Sequence, residues 1–189
     1  DSTRQLLNVY IDNNKIEDRY VLECKITYTL LNNDEFCFGS TPAKTVNLKI
    51  HKNALPDTYE RFYIESGITG EVIPIGYFNV DEISKDDDYT VSLTLIDDMS
   101  KFEFNYDGSA LNYPVSILTV LQDICSKAVV ELGSTSFLNW DKQVAVYDST
   151  VTARTYLGYI AEQAGGFAVI GRDGKLYIKT IGEDTAEFA

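Results

Sequence analysis

The sequence predicts an α+β protein in which an N-terminal β-barrel-like domain precedes a mixed α/β domain. Two observations support this prediction. Before Gly108 the apolar residues alternate with polar ones, as in half-buried strands, whereas after Pro114 they recur every three or four residues, as in amphipathic helices. We therefore place the domain boundary near residues 108–112 and expect the two domains to comprise residues 1–110 and 111–189.

Alternation predicts several strands in the first domain. The clearest covers residues 21–30, where the residues expected on the inward face are Leu22, Cys24, Ile26, Tyr28 and Leu30. Further strands are predicted around residues 46–50, 62–64, 73–80 and 90–96, and the same alternation continues through Phe102, Phe104 and Tyr106. Several short strands in succession favour a strongly twisted sheet or a small barrel. No helix longer than three turns is expected before residue 108.

The first predicted helix covers about residues 114–132. Its apolar face is formed by Leu118, Leu121, Cys125, Ala128 and Leu132. Pro114 would lie in the first turn, where its missing N–H is not needed, and Gly133 would end the helix.

The remaining elements are a short strand, a second helix and a closing hairpin. The strand is expected near residues 143–147, and the helix covers about residues 152–164 with Thr152 as its N-cap. A phosphate-binding glycine loop precedes a helix, whereas Gly165–Gly166 follows the end of this one. Asp173–Gly174 is the predicted hairpin turn, because both residue types tolerate positive φ.

Composition excludes several functional classes. The chain has 189 residues, 44% of them hydrophobic, and a net charge of −13. Sixteen basic residues among 29 acidic ones argue against binding to nucleic acid or to an anionic membrane. We see neither an apolar run long enough to span a bilayer nor the pattern of a signal peptide after Asp1, and we expect synthesis in the cytoplasm.

The cysteines and the single histidine predict no metal site and no disulfide framework. Cys24, Cys37 and Cys125 are widely spaced and odd in number, and His51 has no partner at a ligand spacing. We interpret Cys24 and Cys125 as small apolar residues of the core, which agrees with synthesis in a reducing compartment.

The acidic clusters could indicate calcium binding or glycoside hydrolysis. Asp86–Asp88 lacks the alternating ligands, the central Gly and the distant Glu of an EF-hand, and is expected to be a solvated turn. Asp97–Asp98 and Asp81–Glu82 could supply a pair of carboxylates, but they lie at predicted strand ends in an acid-rich chain. The sequence has no Gly-x-Ser-x-Gly nucleophile elbow, and His51, the single histidine, is not part of a recognisable Ser-His-Asp triad. We expect no catalytic, cofactor-binding or metal-binding residues, and no enzymatic activity.

Aromatic residues are the better candidates for function. The chain has 13 tyrosines and nine phenylalanines, and tyrosine is enriched at protein interfaces. The candidates for a partner surface are Tyr59, Tyr63, Tyr77 and Tyr89, with burial in the core as the alternative. A carbohydrate-binding module would require exposed aromatic platforms, so the exposure of Trp140, the single tryptophan, distinguishes that function.

Five motifs follow one another along the chain. The segment IPIGYFNVDEISKDDDYTVSLTLIDDM at residues 73–99 predicts strand, acidic turn and strand. It is followed in order by YPVSILTVLQDICSKAVVELG, QVAVYDS, TARTYLGYIAEQAGG and FAVIGRDGKLYIK. The order of these motifs resembles the N-terminal half of bacteriophage tail hub proteins, which include the N-terminal region of tail-associated lysins. The resemblance covers about residues 20–181 and depends on the ordered set of motifs.

This resemblance implies a structural component of a phage or prophage tail tip, a homotrimer that joins the tail tube and the distal tail protein to the tip. It also implies that any enzymatic activity belongs to a C-terminal region, and that this chain is a fragment. The segments 46–50 and 73–80, which carry few charges, are expected to pair between subunits. The alternatives are a carbohydrate-binding β-module for attachment to the host and a cell-wall hydrolase that uses the carboxylates at the strand ends.

Overall fold

The computed structural model describes residues 5–28, 31–32, 35–68, 71–85 and 87–180. Contacts divide the chain into two compact units. The first contains Asp1–Tyr28, Lys44–Asp98 and Arg172–Gly174, and the second contains Thr29–Ala43, Met99–Gly171 and Lys175–Ala189. This division falls earlier than residues 108–112, because Met99, Phe102 and Tyr106 pack into the core of the second unit.

The elements follow the predicted order of strands and then helices. The strands up to residue 96 are β1 (Gln5–Ile11), β2 (Asn14–Lys15), β3 (Val21–Thr27), β4 (Leu31–Asn32), β5 (Glu35–Phe36), β6 (Thr45–His51), β7 (Phe62–Ile68), β8 (Glu71–Lys85) and β9 (Thr90–Ile96). The later elements are β10 (Val115–Ser116), α1 (Ile117–Ala128), β11 (Gln143–Val144), α2 (Ala153–Gln163), β12 (Gly166–Ile170) and β13 (Leu176–Thr180). Before residue 108 the described helices are 3-10 helices of three to five residues, which confirms the expectation of no helix longer than three turns there.

The first unit is built on an antiparallel sheet of seven strands in the order β2-β1-β7-β8-β9-β6-β3. The long strand β8 pairs with β7 as far as Phe78 and with β9 from Asn79 onward. Strands β2 and β3 are the two ends of the sheet, so in the described residues it is open and does not close into the predicted barrel. The mixed α+β class, with a large antiparallel sheet and two helices, is confirmed.

Alternation along the strands places one face of this sheet in a buried core. Val46, Leu48 and Ile50 of β6 are at most 1% exposed, as predicted. Leu22 is 51% exposed although it was expected to point inward. The reason is a register shift between Val21 and Glu23, which adds a residue to β3 and turns Leu22 away from the core. Leu30 lies outside the described residues.

The two segments expected to form free edges are inside the sheet. Strand β6 lies between β9 and β3, and residues 73–80 belong to β8, which lies between β7 and β9. The prediction that they are edge strands is therefore wrong. Their low charge reflects burial within one subunit, because central strands exclude charged side chains from the core face.

The alternation of Phe102, Phe104 and Tyr106 does not produce a strand. Residues Asp98–Phe102 form a 3-10 helix, and Phe102 and Tyr106 are fully buried in the second core. In this segment the spacing of the apolar residues reflects packing in an irregular chain, which periodicity alone cannot distinguish from a strand.

Helix α1 is shorter than predicted at both ends. Pro114 follows a cis peptide bond and precedes the N-cap Ser116, whose hydroxyl accepts a hydrogen bond from the N–H of Thr119. The helix ends at Ala128, where Val129 adopts a left-handed conformation with φ of 55°. Pro114 is thus outside the helix, and Gly133 does not end it. In the described residues no helix has the length and apolarity needed to cross a membrane.

The second helix and the closing hairpin agree more closely with the sequence. The hydroxyl of Thr152 accepts a hydrogen bond from the N–H of Thr155, which confirms Thr152 as the N-cap of α2. Strands β12 and β13 pair antiparallel around Asp173–Gly174. Only Gly174 of that pair has a positive φ, at 79°, so the turn is not the type in which both residues need one.

Candidate functional site

Three tyrosines form a row across neighbouring strands of the first unit. Tyr10 lies opposite Tyr63, and Tyr63 lies opposite Tyr77, in the registers of β1, β7 and β8. Their ring centroids are 5.6 Å and 4.7 Å apart. The strand neighbours Phe62, Ile64 and Phe78 are fully buried, so the tyrosine row occupies the opposite face of the sheet.

Charged side chains hold the tyrosine row in place. The carboxylate of Glu65 accepts hydrogen bonds from the hydroxyls of Tyr10 at 3.2 Å and Tyr63 at 3.1 Å, and from the Nδ2 of Asn8 at 3.1 Å. The guanidinium of Arg61 lies 4.4 Å from the ring centroid of Tyr77. Partial burial, together with the hydrogen bond to Glu65, raises the pKa of Tyr63 to about 12.

Removing the hydroxyl of Tyr63 should change how stability depends on alkaline pH. Its pKa is raised from 10.0 to about 12 in the folded protein, so its stabilising contribution is complete below pH 10.0 and is lost as the pH rises towards 12. In Tyr63→Phe we expect a smaller decrease in the free energy of unfolding across that range. Urea unfolding at several pH values measures this decrease, and an identical pH dependence in both proteins would contradict the expectation.

The structure brings together only part of the predicted tyrosine surface. Tyr63 and Tyr77 are in contact, but the ring of Tyr59 packs against Phe62 at 5.9 Å, next to the core. Tyr89 is 69% exposed, and its ring lies 6.5 Å from that of His51. Sequence analysis did not find Tyr10, because its position beside Tyr63 depends on a strand register that the pattern of one chain does not reveal.

Asp97 and Asp98 are buried and hydrogen-bonded. They are 1% and 2% exposed, respectively. Asp98 accepts a hydrogen bond from Arg61 Nη2 at 2.5 Å and from Asn79 Nδ2 at 2.8 Å. Asp97 accepts one from the backbone N–H of Lys44 at 3.0 Å. A hydrolase needs carboxylates that a substrate can reach, whereas these two connect strands of the sheet.

Removing the carboxylate of Asp98 should destabilise the protein. In Asp98→Ala the donors of Arg61 and Asn79 lose their acceptor in a buried position. We expect the free energy of unfolding to fall by about 2–3 kcal/mol, below the value for a fully buried pair, because the side chain of Arg61 is 37% exposed. Urea unfolding tests this, with the exposed Asp88→Ala as the matched control, and equal losses in both variants would contradict it.

The other acidic candidates do not converge on a site. Asp81 and Glu82 are exposed on β8. The Asp87 carboxylate accepts hydrogen bonds from the backbone N–H groups of Tyr89 and Thr90, both at 2.7 Å, and these bonds lower its pKa. Asp86 lies outside the described residues. In the part of the chain that the structure describes, no group of three or more acidic, histidine or cysteine side chains could hold a metal ion.

The cysteines and His51 have structural surroundings. Burial raises the pKa of the Cys24 thiol to about 11 and that of Cys125 to about 12, which keeps both thiols neutral. Cys37 is exposed. The Nδ1 of His51 accepts a hydrogen bond from the N–H of Asn53 at 3.2 Å, which caps a 3-10 turn.

Trp140, proposed as the indicator of a carbohydrate-binding module, is 43% exposed. Its backbone carbonyl accepts a hydrogen bond from the N–H of Leu118 at 3.0 Å, so it lies near the start of α1 in the second unit. Leu138 is 54% exposed in the same loop. One partly exposed indole beside an aliphatic side chain does not form an extended aromatic platform.

The fold is similar to those of two solved tail proteins. No protein-family model matches the chain, and no curated protein is significantly similar to it. The 43 kDa tail protein of prophage MuSo2 from Shewanella oneidensis has a TM-score of 0.59 at 14% identity, over 93% of this chain and 55% of that one. A tail protein from Neisseria meningitidis MC58 has a TM-score of 0.57 at 14% identity, over 91% of this chain and 49% of that one.

These matches establish a shared fold. The chain spans about half the length of either tail protein, 55% and 49% respectively. At 14% identity the likeness concerns the arrangement of strands and helices, not individual site residues. The class that the fold defines is thus the α+β architecture that these two tail proteins share.

Proposed function

We propose that this chain is a structural component of a phage or prophage tail, located in the tip or baseplate hub of the virion. The single observation that carries the proposal is the match of more than nine-tenths of the chain to two tail proteins, at 93% and 91% coverage. The order of motifs in the sequence supports the hub in particular. In this role the protein joins the tail tube and the distal tail protein to the tip, as a homotrimer.

The acidic residues support a role without catalysis. Asp97 and Asp98 have hydrogen-bonding partners within the sheet, and Asp87 stabilises a turn through backbone N–H groups. These hydrogen bonds give the three carboxylates a structural role. We therefore expect no cleavage of peptidoglycan, peptides or glycans, and turnover that Asp97→Asn or Asp98→Asn abolishes would overturn this part of the proposal.

Backbone geometry favours one edge of the sheet for assembly. The carbonyl of Val9 accepts a hydrogen bond from the N–H of Ile16 at 2.8 Å, on the side of β1 that faces β2. Backbone groups alternate in direction along a strand, so Gln5 and Leu7 present theirs to that same side. In the described residues β2 pairs only with Tyr10 and Ile11, so it does not cover this edge.

The opposite edge of the sheet is better protected. Strand β3 has a register shift between Val21 and Glu23, and it exposes the charged side chains of Glu23 and Lys25. Bulges and charges, lysine above all, are features that discourage pairing with another chain. The β1 edge, in contrast, contains no charge between Gln5 and Val9. We propose that subunits associate through the β1 edge.

Light scattering tests this proposal. We expect the full-length protein to be a trimer at roughly 10–50 µM, stable to added salt because backbone pairing and apolar contact dominate. The variant Leu6→Lys adds a charge to the β1 edge and should shift the protein towards monomer, whereas Val146→Lys, at a residue 74% exposed in the second unit, should not. A strict monomer that also fails to bind the distal tail protein would refute the hub function.

A further inference from the structure

The outer face of strands β3, β6, β9 and β8 carries a polar groove of about 510 Å³. This size lies within the range of small-molecule binding sites. The groove runs across the strands, on the side of the sheet opposite Leu48 and Leu93, which are each 1% exposed. It is a second surface of the first unit, which shares only β8 with the tyrosine row.

Strand register arranges the side chains of the polar groove in two rows. One row consists of Glu23, Lys49, Ser92 and Ser84. The next consists of Lys25, Asn47, Thr94 and Glu82. All of these except Lys25 line the groove, and Lys25 is at the end of its row. The middle strands β6 and β9 therefore contribute three short polar side chains and one charged one, which are Asn47, Ser92, Thr94 and Lys49. The acidic Glu23 and Glu82 lie on the outer strands β3 and β8.

The charges of these rows balance. Glu23 and Glu82 are matched by Lys25 and Lys49, so these two rows are formally neutral in a chain whose net charge is −13. Two balanced rows favour neither an anionic nor a cationic ligand at the groove itself. Hydroxyl, amide and carboxylate groups instead provide both donors and acceptors, as an uncharged polyhydroxylated ligand requires.

Aromatic side chains lie beyond one end of the polar groove and are not part of its lining. His51 is two residues beyond Lys49 on β6, so it projects from the same face. Its ring lies 5.7 Å from that of Tyr20 and 6.5 Å from that of Tyr89, and Tyr89 is 69% exposed. An exposed aromatic ring beside a polar surface can pack against the apolar face of a sugar ring.

We propose that the polar groove is a binding site for a neutral glycan, with Asn47 and Thr94 as hydrogen-bonding groups and Tyr89 as an aromatic contact. The hydroxyl of Thr94 lies 3.5 Å from Asn47 Oδ1, a long hydrogen bond that makes the two groups neighbours in the groove. The ligand class follows from the balanced charge and from short polar groups flanked by an aromatic ring. This function is separate from assembly of the tail.

Nuclear magnetic resonance titration of the 189-residue chain tests the proposal. The probes are neutral tetrasaccharides of glucose, mannose and N-acetylglucosamine, with tetramers of galacturonic acid and of glucosamine as charged controls. We expect at least one neutral probe to bind with a Kd of about 1 mM and to shift the backbone amides around residues 47, 89 and 94.

Substitutions then locate the site. The double variant Asn47→Ala with Thr94→Val should weaken binding about tenfold, because two hydrogen-bonding groups are lost. Thr27→Val, at an exposed threonine of β3 that does not line the groove, should bind as the parent does. No binding of the neutral probes, binding of the charged ones alone, or shifts away from the groove would each overturn the proposal.

Discussion

Phe62→Ala should lower the free energy of unfolding by about 3–5 kcal/mol. Phe62 is fully buried on β7, lies opposite the equally buried Phe78, and is in contact with the ring of Tyr59. Truncation removes a large apolar side chain and leaves a cavity that the paired strands cannot close. Urea unfolding, monitored by the circular dichroism of the sheet, measures the loss.

Phe38→Ala is the matched control for this prediction. The same atoms are deleted from a side chain that is 57% exposed, so little transfer free energy is lost and no cavity forms. We expect a decrease of about 1 kcal/mol or less. If both variants lost stability equally, the core of the first unit would not be packed around Phe62 as described.

Gly166→Ala should cost about 3 kcal/mol, at the upper end of the range for overpacking. A Cβ atom at Gly166 would lie 1.7 Å from the carbonyl oxygen of Lys179 and 2.9 Å from the Cα of Thr180. These are backbone atoms of the paired strand β13, so a side-chain rotation cannot relieve the clash. The measurement is again the free energy of unfolding, with loss of the hairpin detected by amide hydrogen exchange in β12 and β13.

Comparison with Gly165→Ala distinguishes a steric clash at residue 166 from backbone strain at the neighbouring residue. It has a φ of 67°, but a Cβ atom there would have no neighbour within 4 Å. Gly165→Ala should therefore cost only the strain of a left-handed residue, about 1–2 kcal/mol. A larger loss at Gly165 than at Gly166 would contradict the close approach of β12 to β13.

The sequence alone was sufficient to predict most elements in which a single buried face sets the periodicity. The alternation in β6 and β9 predicted which residues are buried, because a strand with one face on a core must alternate. The capping residue Thr152 was also predictable, since it satisfies backbone N–H groups within the same short segment. In both cases the cause is local to the chain.

The failures occurred where the cause is not local. The register shift that exposes Leu22 depends on how β3 pairs with β6, and the 3-10 helix that contains Phe102 depends on the core that the segment enters. Likewise the internal position of β6 and β8 depends on the order of strands in the sheet, which charge content does not reveal. Among the described strands, that order leaves the sheet open.

For the candidate sites, the sequence by itself determined the composition and the tertiary structure decided the grouping. Acid content, the number of tyrosines and the lack of a catalytic motif follow from the residues alone. The tyrosine row around Tyr63 and the balanced charges around Asn47 arise only when strands far apart in sequence pair in one register. Pairing fixes which side chains are neighbours, and neighbouring side chains are what a ligand or a subunit contacts.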